Sequence, residues 1–100
     1  MAKGYWIVHI DVHDMEAYKP YQTAAGAALG KFGGKYVVRG GAHEVVEGTA
    51  RSRMVVIEFP SYQAAIDCYR SADYQKAMPG RTDLAVSDFV IIEGYDGAQP

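Results

Sequence analysis

At 100 residues, with 49% apolar and 22% charged side chains, the chain has the make-up of one ordinary globular domain, and a domain of this size buries roughly two thirds of the surface its unfolded form exposes. Ten basic and twelve acidic side chains leave a net charge of -2, and the basic groups form no run beyond Arg51 and Arg53, which argues against nucleic acid or anionic lipid as a partner. No apolar run approaches the roughly 18 residues of a membrane span. "MAKGYW" leads straight into a strand pattern rather than an export signal, so the expected location is cytoplasmic.

The first element is "GYWIVHIDVHD", Gly4 to Asp14. Alternation sends Trp6, Val8, Ile10 and Val12 to one face of a strand and Tyr5, Ile7, His9, Asp11 and His13 to the other. Asp14 is an N-cap for a helix over "MEAYKPYQTAAGAALGKF", with Met15, Tyr18, Ala25, Leu29 and Phe32 on one stripe. Pro20 is expected to kink or restart that helix, and Gly33-Gly34 to end it. "KYVVRGGAHEVVEG" reads as a long strand broken at Gly40-Gly41. The loop "TARS" leads to a third strand, "RMVVIEF", which Pro60 closes.

Ser61 caps a second helix, "YQAAIDCYR", and Ser71 a fresh helical turn, "ADYQKAM", that Pro79-Gly80 is expected to stop. "DFVIIEGY" is the fourth strand, and residues 95–100 form a loose tail. The single cysteine, Cys68, rules out an intrachain disulfide and reads as a small buried apolar residue. The order is β-α-β-β-α-β: one α+β domain over residues 1–100, a four-stranded antiparallel sheet with both helices on one face and strands one and three in the centre.

Two helices cover one side of such a sheet, yet the third and fourth strands are apolar on both faces. A second copy of the chain is the simplest cover, giving a homodimer packed sheet to sheet. Tyr5, Ile7, Val56, Phe89 and Ile91 are expected to fill that interface, with His9, Asp11, Glu58 and Glu93 at its rim.

"KGYWIVHIDVHDMEAY", "FGGKYVVRGG", "VVIEFPS", "CYRSADYQ" and "VIIEG", taken in this order over Lys3 to Gly94, resemble the domain-of-unknown-function family DUF1330, small bacterial proteins of the dimeric α/β-barrel superfamily with a ferredoxin-like fold. Two departures stand out. "MPGR" sits where members continue a helix into an Arg, and Lys19-Pro20 interrupts the first helix; both reshape the mouth of a pocket. The resemblance implies the fold and the dimer but no established reaction, since the wider superfamily includes cofactor-free monooxygenases, isomerases, haem-degrading enzymes and plain ligand-binding or stress-induced proteins.

Several side chains have chemical potential. His9-x-Asp11-x-His13 has a spacing that metal sites use on strands, but no distant fourth ligand accompanies it and no metal is expected. His9 suits a general base oriented by Asp11 or Glu58; it equally suits a structural histidine satisfied by a carboxylate across the dimer. Arg39 has the planar fork to clamp a carboxylate or enolate, or to pair with Glu58 or Glu93. Arg53 is expected in solvent, as is His43. Among eight tyrosines, Tyr18, Tyr21, Tyr69 and Tyr74 read as helix-over-sheet core, with a cleft lined by Trp6, Tyr18, Phe59 and Tyr69 as the alternative. Gly40-Gly41 lacks the context of a phosphate loop.

The combined expectation is a cytoplasmic homodimer with one cleft per subunit that binds, or turns over without a cofactor, a small aromatic or enolisable metabolite. In it His9 is the base, Asp11 its orienter, Arg39 and Glu58 ligand contacts, and Trp6, Tyr18 and Tyr69 the walls. The alternative is a non-enzymatic ligand-binding or stress-associated dimer.

Overall fold

A computed structural model describes residues 2–100. Strand β1 (Gly4–Val12) is followed by helix α1 (Met15–Lys31), strands β2 (Lys35–Arg39) and β3 (Arg53–Phe59), helices α2 (Tyr62–Arg70), α3 (Ala72–Ala77) and α4 (Pro79–Thr82), and strand β4 (Ala85–Glu93). The four strands form one sheet in the order β2-β3-β1-β4, every neighbour antiparallel, so β1 and β3 are central. This is an α+β fold of ferredoxin-like topology.

Side-chain hydroxyls and carboxylates start the helices where the chain needs free N–H groups satisfied. Asp14 accepts from the amides of Glu16 and Ala17, Ser61 from Ala64 and Ser71 from Tyr74. Gly33, in the left-handed region at φ 72°, turns the chain out of α1.

Trp6, Val8 and Ile10 of β1 and Ile57 and Phe59 of β3 form the floor on which Tyr18, Ala25, Ala28 and Leu29 of α1 and Ala65 and Cys68 of α2 rest. Trp6 is the hub. Its ring lies 5.0 Å from each of Phe59, Phe89 and Tyr74, and its Nε1 donates to the Ala65 carbonyl at 2.9 Å. Burial supplies the main driving force here, and the paired indole N–H removes its desolvation cost.

Five sequence expectations are corrected. First, α1 runs through Pro20 without a break: the proline is exposed in the second turn, so the one backbone bond it forfeits leaves the Glu16 carbonyl open to water. Second, the chain after Arg39 is not strand. Gly40, at φ 65°, turns it into an exposed connection that reaches β3 only at Arg53. Third, Gly40 supplies the expected bend, but the bulge of β2 lies at Val37, between the Tyr36–Ile57 and Val38–Val56 pairs. Fourth, α3 stops before Pro79 as expected, but the same proline opens a further turn, occupying the first position of α4, where its missing N–H is no loss.

The fifth correction concerns β4. Phe89 pairs with Val8 and Ile91 with Trp6, so both face the helices, not the open side. Their neighbours Val90 and Ile92 take the outer face, 53% and 51% exposed.

Candidate ligand cleft

The helix-covered face is incompletely filled. A cleft opens between α1 and the sheet, floored by Trp6, Val8, Ile10, Val55, Ile57 and Phe89 and walled by Tyr18, Tyr21, Gln22, Ala25 and Leu29, with Tyr36, Arg39, Arg53 and Arg81 completing it. Its volume is about 50 Å³. That is the room available without side-chain movement, enough for a few waters. A larger guest must displace the long side chains at the mouth, an ordinary adjustment on binding.

Three guanidinium groups enter this cleft and no carboxylate does. None of Arg39, Arg53 and Arg81 belongs to an ion pair among the described residues. Each arrives by a different local device. On β2, the extra residue at Val37 puts Tyr36 and Arg39, three apart, on the same face, and the Arg39 guanidinium stacks 4.4 Å from the Tyr36 centroid. Arg53 opens β3 on the inward side, and its guanidinium rests against Gly40 so closely that a side chain there would collide with it. Arg81 is carried inward by α4.

Arg81 is 5% exposed. Its Nε donates to the Tyr74 oxygen at 3.2 Å, its Nη1 to the Ser87 hydroxyl at 2.6 Å, and its Cζ sits 5.0 Å from the Phe89 centroid. Burial works against its charge, and the tyrosine oxygens around it, Tyr74 foremost with Tyr21 and Tyr69, together hold the group above its ordinary value. The Tyr21 and Tyr74 hydroxyls meet at 2.7 Å behind it. Tyr18, beside Tyr21, is pushed up to about 12 by burial.

The expected site residues therefore divide. Trp6, Tyr18 and Arg39 come together in the cleft. Tyr69 stands behind Trp6, edge to face at 6.1 Å, and does not line it. Phe59 packs on Trp6 within the core. His9, Asp11 and Glu58 lie on the outer face, with the sheet between them and the cleft, so one chain does not bring His9 to a ligand held by Arg39.

On that outer face His9 is fully engaged. Its Nδ1 accepts from the Arg51 amide at 3.0 Å, which requires the proton on Nε2, and Nε2 faces Asp88 at 3.2 Å. Arg51 also binds Asp88 (2.8 Å) and Asp11 (3.2 Å), while the Ser52 amide donates to Asp11 at 2.9 Å. That amide bond, with Arg51, holds the Asp11 carboxyl below its usual range. Glu58 accepts from the Tyr5 hydroxyl at 3.0 Å. Among the described residues, no group of His, Cys, Asp and Glu is arranged to hold a metal ion.

Arg53 turns into the cleft rather than into solvent as expected, and Arg81, to which the sequence assigns no role, enters it from the "MPGR" turn. Proline at the first position of a helix was the available signal for Arg81. For Arg53 the signal was alternation, which puts it on the face of Val55, Ile57 and Phe59; its pairing with Ile10 makes that face the inward one.

The fold and cleft define a ferredoxin-like α+β domain with a cationic, aromatic pocket between helix and sheet. The chain belongs to the family described as Domain of unknown function (DUF1330), whose model matches residues 3–95. It is similar in structure to a protein of unknown function from Rhodopseudomonas palustris, at TM-score 0.74 and 20% identity, covering 96% of this chain and 85% of that one. It is also similar to SnoaB, a cofactor-independent oxygenase from Streptomyces nogalater, at TM-score 0.66 and 12% identity over 100% of this chain and 97% of the other. A Nitrosomonas europaea protein provisionally assigned as an antibiotic biosynthesis monooxygenase gives TM-score 0.63 and 18% identity over 92% and 89%. At these identities the likeness is one of fold. Comparison with curated proteins finds no match.

Proposed function

We propose that the protein is a homodimer, its outer sheet faces packed together, in which each helix-covered cleft binds a small aromatic or enolisable anion. The observation that carries the binding reading is Arg81, a buried guanidinium with no acidic partner, set among two further arginines and an otherwise aromatic and aliphatic lining. Its partners are neutral hydroxyls and a ring rather than a carboxylate, so a carboxylate or enolate oxygen offered by a ligand would add the charge-assisted hydrogen bonds that these partners do not supply. In this reading Trp6 and Tyr18 are the walls, Tyr69 supports Trp6, and Arg39 meets the ligand at the mouth.

The lining stabilises negative charge better than it removes a proton. It contains no His, Asp or Glu, and the Tyr18 phenol is far from titrating near neutrality. Turnover without a cofactor is accordingly limited to a molecule acidic enough to persist as its enolate once the arginines hold it. The lack of a base favours a non-enzymatic binding role as the second reading. His9 and Asp11 serve the other face, tying the connection between β2 and β3 to the sheet.

The dimer is supported by the outer face itself, where Ile7, Val38, Val86, Val90 and Ile92 are all exposed. Four strands of about six residues give a footprint near 400 Å², at the upper end of what a lone domain leaves open.

Calorimetric titration with benzoate tests the binding reading. Wild type is expected to bind, and Arg81→Met to bind at least about tenfold more weakly while unfolding cooperatively. Equal affinity in the two proteins would overturn it.

A further inference from the structure

The arginines of the cleft are not gathered at one point; they stand at its two ends. Two rows of paired residues cross the sheet beneath it. One runs Arg53, Ile10, Ser87, and the other Arg39, Val55, Val8, Phe89. Each row begins with an arginine on the β2–β3 side. Each finishes under Arg81 on the β4 side, since Arg81 bonds Ser87 and stacks on Phe89. Between the ends lie only aliphatic floor residues, Ile10 in the first row and Val55 and Val8 in the second. At about 4.8 Å per strand the rows span about 10 and 14 Å between their end Cα positions. Tyr18 lines the same cleft.

From this we infer that the ligand is two-ended: a flat, apolar body carrying one acidic group for Arg81 and a second, at its opposite end, for Arg53 and Arg39. The inference rests on the anion-binding reading above and adds the class of ligand. A molecule with one acidic group satisfies the buried guanidinium but leaves two cations at the mouth facing an apolar tail. A dianion with its charges set apart meets both ends and lays its middle on Val8, Ile10 and Val55. Two acidic groups placed side by side meet one end only. Charge separation, not total charge, is what the cleft selects.

The test compares benzoate, phthalate (adjacent carboxylates) and terephthalate (opposed carboxylates) by calorimetry at one ionic strength, with wild type and with Arg53→Met and Arg39→Met. The expected result is that terephthalate binds wild type about tenfold or more tightly than either benzoate or phthalate. In the two variants that preference should shrink towards one. Arg39 is exposed and Arg53 partly so, and neither belongs to the buried core, so their replacement should leave the core packing intact; urea unfolding of each variant verifies this. Equal affinity for all three ligands, or a terephthalate preference that survives both substitutions, would overturn the two-ended inference while leaving the anion reading in place. Failure of all three to bind would remove the anion reading with it.

Discussion

Arg81 and Ser87 are joined by a 2.6 Å hydrogen bond that ties a four-residue helix to the edge strand β4. The serine is neutral, as is the Tyr74 oxygen on the other side of the guanidinium, so the contacts orient the charge without cancelling it. Orientation without neutralisation suits a group that awaits a ligand.

This has a consequence for stability. Arg81→Met removes the charge and retains much of the volume but gives up the bonds to Tyr74 and Ser87, so the ligand-free variant should stay within about 2 kcal/mol of wild type. Urea unfolding at low salt measures it. A loss of about 2 kcal/mol or more would instead make Arg81 a fastener between α4 and β4.

Acid should weaken the attachment of the β2–β3 connection. The folded Asp11 carboxyl is held below its ordinary value of 3.8 by the Ser52 amide and by Arg51. A depressed carboxylate contributes stability that is present above the unfolded value and is lost as pH falls through the folded one. Below about pH 4, wild type should therefore lose stability more steeply than Asp11→Asn; parallel curves from unfolding at a series of pH values would remove this role.

Two glycines provide a contrast in packing. A Cβ on Gly4 would stand 2.6 Å from the Tyr62 Cα, closer still to the Ser61 carbonyl oxygen, whereas one on Gly30 meets nothing within 4 Å. Gly4→Ala should cost about 2 kcal/mol, because backbone cannot step aside, and Gly30→Ala should stabilise by about 0.5–1 kcal/mol through helix propensity. Thermal unfolding of the two variants, expected to shift in opposite directions, checks both.

The dimer reading separates the two faces of β4. Light scattering should give wild type twice the 10.9 kDa subunit mass and Val90→Asp the single mass, with benzoate still bound by the variant. Val90 points away from the cleft, so the assembly can be lost without the pocket. A wild-type protein of subunit mass would end the proposal.

The order of elements was legible in the sequence because caps and breakers mark it: Asp14, Ser61 and Ser71 start helices and Gly33 ends one. The centrality of β1 and β3 followed from topology. The direction of β4 was not legible, since Phe89 and Ile91 on one side and Val90 and Ile92 on the other are equally apolar, and alternation alone has no preferred phase there. The division of the expected site has a related cause. Alternation correctly separated Trp6 from His9, but the polar cluster at His9 and Asp11 read as chemistry, when long-range pairing with Arg51 and Ser52 occupies it. Arg81 escaped because a single arginine on a one-turn helix has no periodicity to announce which way it faces.

The central claim is that the cleft receives an anion on Arg81, and the anomalous signal of bromine in crystals soaked with 4-bromobenzoate tests it most directly. The account predicts bromine over the Val8–Ile10 floor beside Tyr18, with the carboxylate on the Arg81 guanidinium. Bromine found only on the outer face, or an unoccupied cleft at saturating ligand, would contradict it.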